Sequence, residues 1–140
     1  MATAKATATG AGPGARGVTR VLAKLESSIE AGNYYEAHQM YRTLYFRYLS
    51  QKKYEELLDL LYQGALTLLN HEQYTSGADL GLLIVDTLEK GKITEDAEKW
   101  MQKLALLLSK ILPNVVERET LLVSFEPRIL VEHVTTLNRN

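Results

Sequence analysis

Five of the eight tyrosines fall in one segment, GNYYEAHQMYRTLYFRYLSQ, Gly32 to Gln51, at positions 34, 35, 41, 45 and 48. His38, Arg42, Phe46 and Arg47 sit among them. On a helix at 100° per residue, Tyr34, His38, Tyr41, Tyr45 and Tyr48 fall within about 80° of one another, a single stripe. Ala37 and Leu44 lie beside it. Tyr35, Arg42 and Phe46 make a second patch. Phenols on a helix serve two kinds of chemistry. They fill a core while their hydroxyls find partners at its rim, which is the expectation for Tyr41 and Tyr45. Together with arginine they also anchor protein interfaces. Tyr34 opens the helix next to a loop and is expected to be exposed. The packing of an inner helix between two neighbours predicts that both patches are covered.

A second constellation is acidic. Asp79 and Asp86 are seven residues apart, two helical turns, and point the same way beside Leu82 and Leu83. Such an edge either meets a basic partner or remains a solvated rim.

Catalytic arrangements do not stand out. His38, His71 and His133 lack ligand spacing. The glycines of GAGPG, 10–14, lack the GxxxxGK[ST] pattern of a phosphate loop, and no GxSxG occurs. Glu55 and Glu56 are adjacent, so on a helix they point apart and do not form an acid/base pair. No metal and no cofactor is expected. With no cysteine in the chain, disulfides and thiol catalysis are excluded, and a reducing compartment suits the composition. Sixteen basic residues face 17 acidic ones, for a net charge of −1. That balance gives no support to nucleic-acid or anionic-membrane binding. Apolar runs are short, LLIV at 82–85 being typical, so no segment inserts in a bilayer.

The elements that must carry these residues are helices. A chain of 140 residues supports one domain with a real core. Residues 1–17, MATAKATATGAGPGARG, are too small and polar to pack and read as a disordered tail. Free of acid until Glu26, they weakly resemble a transit peptide, but large apolar residues are missing. From Val18 a helical period persists to about residue 126, with residues 127–140 as a divergent tail. Helices are predicted over 18–31 (stopped by Gly32), 34–51, 54–69 and 75–90, then one capped by Thr94 and stopped by Pro113, then 115–125. Tyr35, Tyr54 and Tyr74 each follow a polar break and open a helix, 19 and 20 residues apart. Short breaks force antiparallel neighbours, and pairs repeating at about 39 residues stack as a tetratricopeptide-like α-solenoid.

GNYYEAHQMYRTLYFRYLSQ, followed by YQGALTLL and SGADLGLLIVDTLEK, resembles the N-terminal half of the Golgi-to-ER traffic protein four family, over about Val18 to Pro113. This is the α-solenoid adaptor of the guided-entry pathway for tail-anchored membrane proteins. The resemblance implies a cytosolic, non-enzymatic protein that docks the targeting ATPase through its N-terminal helices. Tyr34 stands at the docking tyrosine of the family's DYYEAH motif, with Asn33 here in place of Asp. Arg47 stands at the basic residue of the following RY pair. His38 and Arg42, between them, are taken with the docking surface. Some members carry a second arginine where this chain has Ser50. Asp79 and Asp86 match the family's acidic regulatory positions, whose implied role is to favour the nucleotide-loaded ATPase.

Other implied partners are a BAG-type scaffold and a ubiquitin-like protein. The ubiquitin-like partner docks on the C-terminal half, a region not matched here, so loss of that partner is expected. After ERETL the resemblance fades, and Leu121, Leu122, Val123 and Phe125 are candidates for apolar surface where a further helix pair would stack. The alternative is a generic tetratricopeptide-like scaffold that grips a linear peptide. An organellar RNA binder and an enzyme are further rivals, opposed by the neutral charge and by the missing nucleophile and base.

Overall fold

The computed structural model describes residues 13–125, and the expectations for 1–12 and 126–140 lie outside the described residues. The fold is all-α. Among the described residues six helices follow in order: α1 Pro13–Glu30, α2 Tyr34–Ser50, α3 Tyr54–Asn70, α4 Tyr74–Lys90, α5 Ala97–Ser109 and α6 Val116–Phe125. No described helix is long and apolar enough to cross a membrane.

Of the tyrosines expected to open helices, Tyr54 and Tyr74 do so, while the first helix of the series starts at Tyr34, one residue before Tyr35. Tyr34, Tyr54 and Tyr74 each occupy the first position of a helix. The breaks before them share one geometry. At Gly32, Lys52, Glu72 and Lys92 the backbone enters the left-handed region, with φ of 79°, 57°, 62° and 51°. In each case the next residue's N–H donates to the carbonyl five residues back: Asn33 to Ser28, Lys53 to Tyr48, Gln73 to Leu68 and Ile93 to Leu88. The left-handed residue itself donates three residues back, to Ile29, Leu49, Leu69 and Glu89. This bond pair ends a helix and satisfies its last carbonyls. It recurs every 20 residues, the period seen in the sequence. Only the first turn uses glycine, which adopts this conformation without the Cβ clash. Lys52→Gly and Glu72→Gly are each expected to raise stability by about 1 kcal/mol through relief of that clash, less the unfolded-state entropy glycine adds. Gly32→Ala is expected to lower it by about as much. Urea midpoints read all three.

Three boundaries differ from expectation, one of them the end of α5, which stops at Ser109 with Lys110 as its cap rather than running on to Pro113. The tail was placed at 1–17, yet α1 starts at Pro13. Proline suits a first helical position because its fixed φ is helical and its missing N–H has no partner there anyway. A composition too small to build a core can still prolong a helix already nucleated downstream. Thr94 was expected to cap the fifth helix, but the chain turns once more and α5 begins at Ala97, after Asp96. The 20-residue rhythm therefore slips by three residues at this joint.

The chain divides into two compact units between Met40 and Tyr41, with α2 running through the boundary. In the first, Leu25, Ser28 and Ala37 are buried. In the second, Tyr54 at the head of α3 lies against Gly91 beyond the end of α4, and Gly77 near the head of α4 meets Leu69 near the end of α3. The pair is therefore antiparallel. On α6, Glu117 accepts a hydrogen bond from Thr75 and Leu121 covers Gly81, so α6 runs alongside α4 in the same direction. These stacked helical hairpins form an α-solenoid. Leu57, Leu61, Leu68, Leu80, Ile84, Leu104 and Leu107 are fully buried between the layers. Tyr62 and Trp100 join α3 to α5 edge to face at 5.9 Å, and the Lys103 ammonium lies 4.2 Å from the Tyr62 ring centre.

The apolar surface expected at the C-terminal end needs one correction. Leu121 is buried, because α6 folds back onto α4, where Gly81 leaves room for it. Leu122 is half-buried, Val123 is exposed, and the side chain of Phe125 lies outside what is described.

Candidate functional site

The site grows from α2. A 17-residue helix with an aromatic at nearly every turn has to choose which rings to bury. Tyr41 and Tyr45 are the buried pair, at 6% and 3% exposure. Gly64 of α3 makes room for the first of them, since a Cβ there would come within 2.5 Å of the Tyr41 ring. Burial pushes the Tyr41 phenol up to about 12, so it stays neutral through the physiological range. Tyr34, His38 and Tyr48 are half-buried on the same stripe.

The second patch is not covered as expected. Tyr35 is 76% exposed and Phe46 is 59% exposed. The two rings of that patch are left to solvent, while Arg42 between them is half-buried. Phe46 touches Tyr45 edge to face, ring centres 5.0 Å apart, and Arg47 next to it is exposed. Tyr34, expected to be open, is the more covered of the adjacent tyrosines.

The acidic edge is neither a bare patch nor a solvated rim. Asp79 and Asp86 are both half-buried on α4. The Arg42 guanidinium donates from Nη1 to Asp79 Oδ2 at 2.7 Å. The Tyr45 hydroxyl donates to Asp86 Oδ2. Lys90, one turn further along α4, places its Nζ 3.1 Å from the same oxygen. Burial first, and then the Asp86 carboxylate, hold the Tyr45 phenol above its ordinary value, so it remains a donor. The hydrogen bond to Asp86 likewise raises the Lys90 ammonium. Residues 42–45 of α2 and 79–86 of α4 thus form one polar seam.

The residues singled out in the sequence are therefore brought together only in part. Arg42 and Asp79, assigned to different surfaces, are a pair. Arg47 stands apart from the seam, and the Ser50 hydroxyl donates to its backbone carbonyl at 2.8 Å, closing the end of α2. Tyr34 and His38 belong to the first unit. Tyr45 was expected to bury its ring and find a hydroxyl partner at the rim, as it does on Asp86. Lys90 was not singled out, although the spacing of four between Asp86 and Lys90 is a helical ion-pair signal readable in the sequence. A cleft of about 310 Å³ opens where the rhythm slips, lined by Asp59, Lys92, Glu95, Asp96, Lys99 and Trp100 among others. Among the described residues no group of three or more His, Asp or Glu could hold a metal ion.

Comparison with known proteins follows the same segments. The family model for Golgi to ER traffic protein 4 matches residues 51–125. A Golgi to ER traffic protein 4 homolog of Gallus gallus is 48% identical over 132 residues, 93% of this chain and 40% of the relative. The Homo sapiens homolog is 50% identical over 104 residues, 74% of this chain and 32% of the relative. Among solved structures, the crystal structure of C. therm. Get4 superposes with a TM-score of 0.67 at 30% identity, covering 75% of this chain and 34% of that one. The chain thus spans about two fifths or less of the length of these relatives. With a matching family model over more than half its residues, close relatives across most of its length and the same helical stack, the chain belongs to the Golgi to ER traffic protein 4 family.

Proposed function

We propose that this chain is a non-enzymatic, cytosolic adaptor in the post-translational targeting of tail-anchored membrane proteins to the ER, and that it docks the targeting ATPase through its N-terminal helices. The observation that carries this reading is Phe46 beside Arg47. A phenylalanine 59% exposed next to an exposed arginine, on a helix whose other rings of the second unit are at least half-covered, is the composition of an interface anchor. Tyr34 and His38 extend the docking residues along the same helix. Arg42, taken with these residues in the sequence, is engaged by Asp79 in the free chain. Asp79 and Asp86 form the acidic edge that favours the nucleotide-loaded ATPase. A BAG-type scaffold is a further partner on this reading.

The test is binding of the ATPase to this chain with and without ATP. Arg47→Glu and Phe46→Ala are each expected to weaken it by about tenfold or more, the usual effect of truncating an anchor. Tyr34→Ala is expected to weaken it as well. An Asp79→Lys/Asp86→Lys chain is expected to lose the preference for ATP. Wild-type binding that is abolished by a linear peptide, and indifferent to Phe46 and Arg47, would move the function to a peptide-gripping scaffold.

A further inference from the structure

The seam between α2 and α4 holds two carboxylates and two cations, and this balance bears on how the acidic edge is used. Asp79 and Asp86 have side chains 27% and 35% exposed, so a partner can reach them without unfolding anything. Their cations, Arg42 and Lys90, are 36% and 52% exposed at the side chain. Ion pairs this open to water are weak and exchange readily. Two positive charges beside two negative ones leave little net potential, so in the free chain the edge does not attract a basic surface at long range. Tyr45 differs from the two cations. It is neutral and buried, and its hydroxyl donates to Asp86 Oδ2 from the core side.

We propose that Arg42 and Lys90 are competitors in cis for the acidic edge: they occupy Asp79 and Asp86 in the free chain, and a basic partner surface engages those carboxylates only by displacing them. Tyr45 keeps Asp86 aimed while the exchange takes place. The two cations then set how tightly, and with what salt dependence, the edge is used. This rests on the adaptor reading for the identity of the partner, but not for the competition itself.

The proposal makes an unusual demand, namely that removing a cation from the candidate docking surface should tighten binding. Affinity for the targeting ATPase is measured across a salt series for wild type, Arg42→Gln/Lys90→Gln, Asp79→Asn/Asp86→Asn and the fourfold variant. In parallel, each is titrated with a hexa-arginine peptide while the Asp79 and Asp86 carboxylates are followed by carbon NMR. The Arg42→Gln/Lys90→Gln chain is expected to bind about three- to tenfold more tightly at low salt, with a steeper salt dependence, and the fourfold variant is expected to lose that gain.

If Arg42→Gln/Lys90→Gln weakens the ATPase as Asp79→Asn/Asp86→Asn does, the cations touch the partner themselves and the proposal is overturned. If the ATPase binds none of the chains but the peptide shows the gain at the two carboxylates, the competition stands and the adaptor reading falls. If neither ligand shows a gain, the competition is wrong.

Discussion

Gly64→Val is expected to destabilise the chain by about 3 kcal/mol, at the upper end of the range for overpacking a well-filled site. Gly64 sits inside α3, and a bare Cβ there would stand 2.5 Å from Cε1 and Cζ of Tyr41 and 3.0 Å from Cδ1. Tyr41 is only 6% exposed, so its ring has nowhere to retreat without moving α2. Two effects oppose each other in the milder Gly64→Ala. Alanine improves helix propensity by about 1 kcal/mol over glycine, while the overlap acts the other way by about 1–3 kcal/mol. The alanine variant should therefore fall between neutral and about 2 kcal/mol less stable. In a Tyr41→Leu background, where the ring is gone, the same alanine should stabilise. Urea unfolding followed by circular dichroism gives all the terms. A Gly64→Val chain within 1 kcal/mol of wild type would show that α2 and α3 are not in tight register here.

Leu121→Ala should cost about 2–5 kcal/mol, the range for deleting a fully buried leucine. The residue is 0% exposed and lies over Gly81 of α4, which has no side chain to fill the space it leaves. Around it α6 offers little else, since Val116 and Val123 are 76% and 58% exposed. Leu121 is therefore the one fully buried side chain among those described on this helix. Hydrogen exchange separates two ways of losing it. If α6 detaches by itself, its amides exchange quickly while those of α3 and α4 keep their protection. If the stack depends on α6, all three speed up together. Unchanged α6 protection in Leu121→Ala would mean that the leucine does not hold it.

Much of this was readable in the order of residues, and what was not has identifiable physical causes. The breaks before α2, α3 and α4 were legible, to within a residue at Tyr35, because a turn is a local event, decided by a few neighbouring residues. Leu57, Leu58, Leu61, Ala65, Leu68 and Leu69 announced the buried face of α3 by spacing alone, and all six are buried. The three-residue slip before α5 was not legible, because Thr94 followed by two acids satisfies every local rule for a helix start. The pairing of Arg42 with Asp79 spans 37 residues and depends on how α2 lies beside α4, which no local pattern encodes. The second patch misled for a related reason. Aromatic residues on a helix say that a face can be buried, not that a neighbour arrives to bury it. Leu121 shows the reverse: a residue suspected of exposure is covered because a glycine 40 positions earlier leaves a hollow.

The joint between Tyr62 and Trp100 has an optical consequence. Trp100 is the one tryptophan of the chain, 3% exposed and fixed edge to face against a tyrosine of α3. Its emission therefore reports a single contact, the seating of α5 on α3, whereas circular dichroism reports every helix at once. A solenoid holds together through nearest-neighbour interfaces, so its joints need not all fail at one denaturant concentration. The distance between the fluorescence and dichroism curves measures, without any added label, how far one hairpin melts independently of the next.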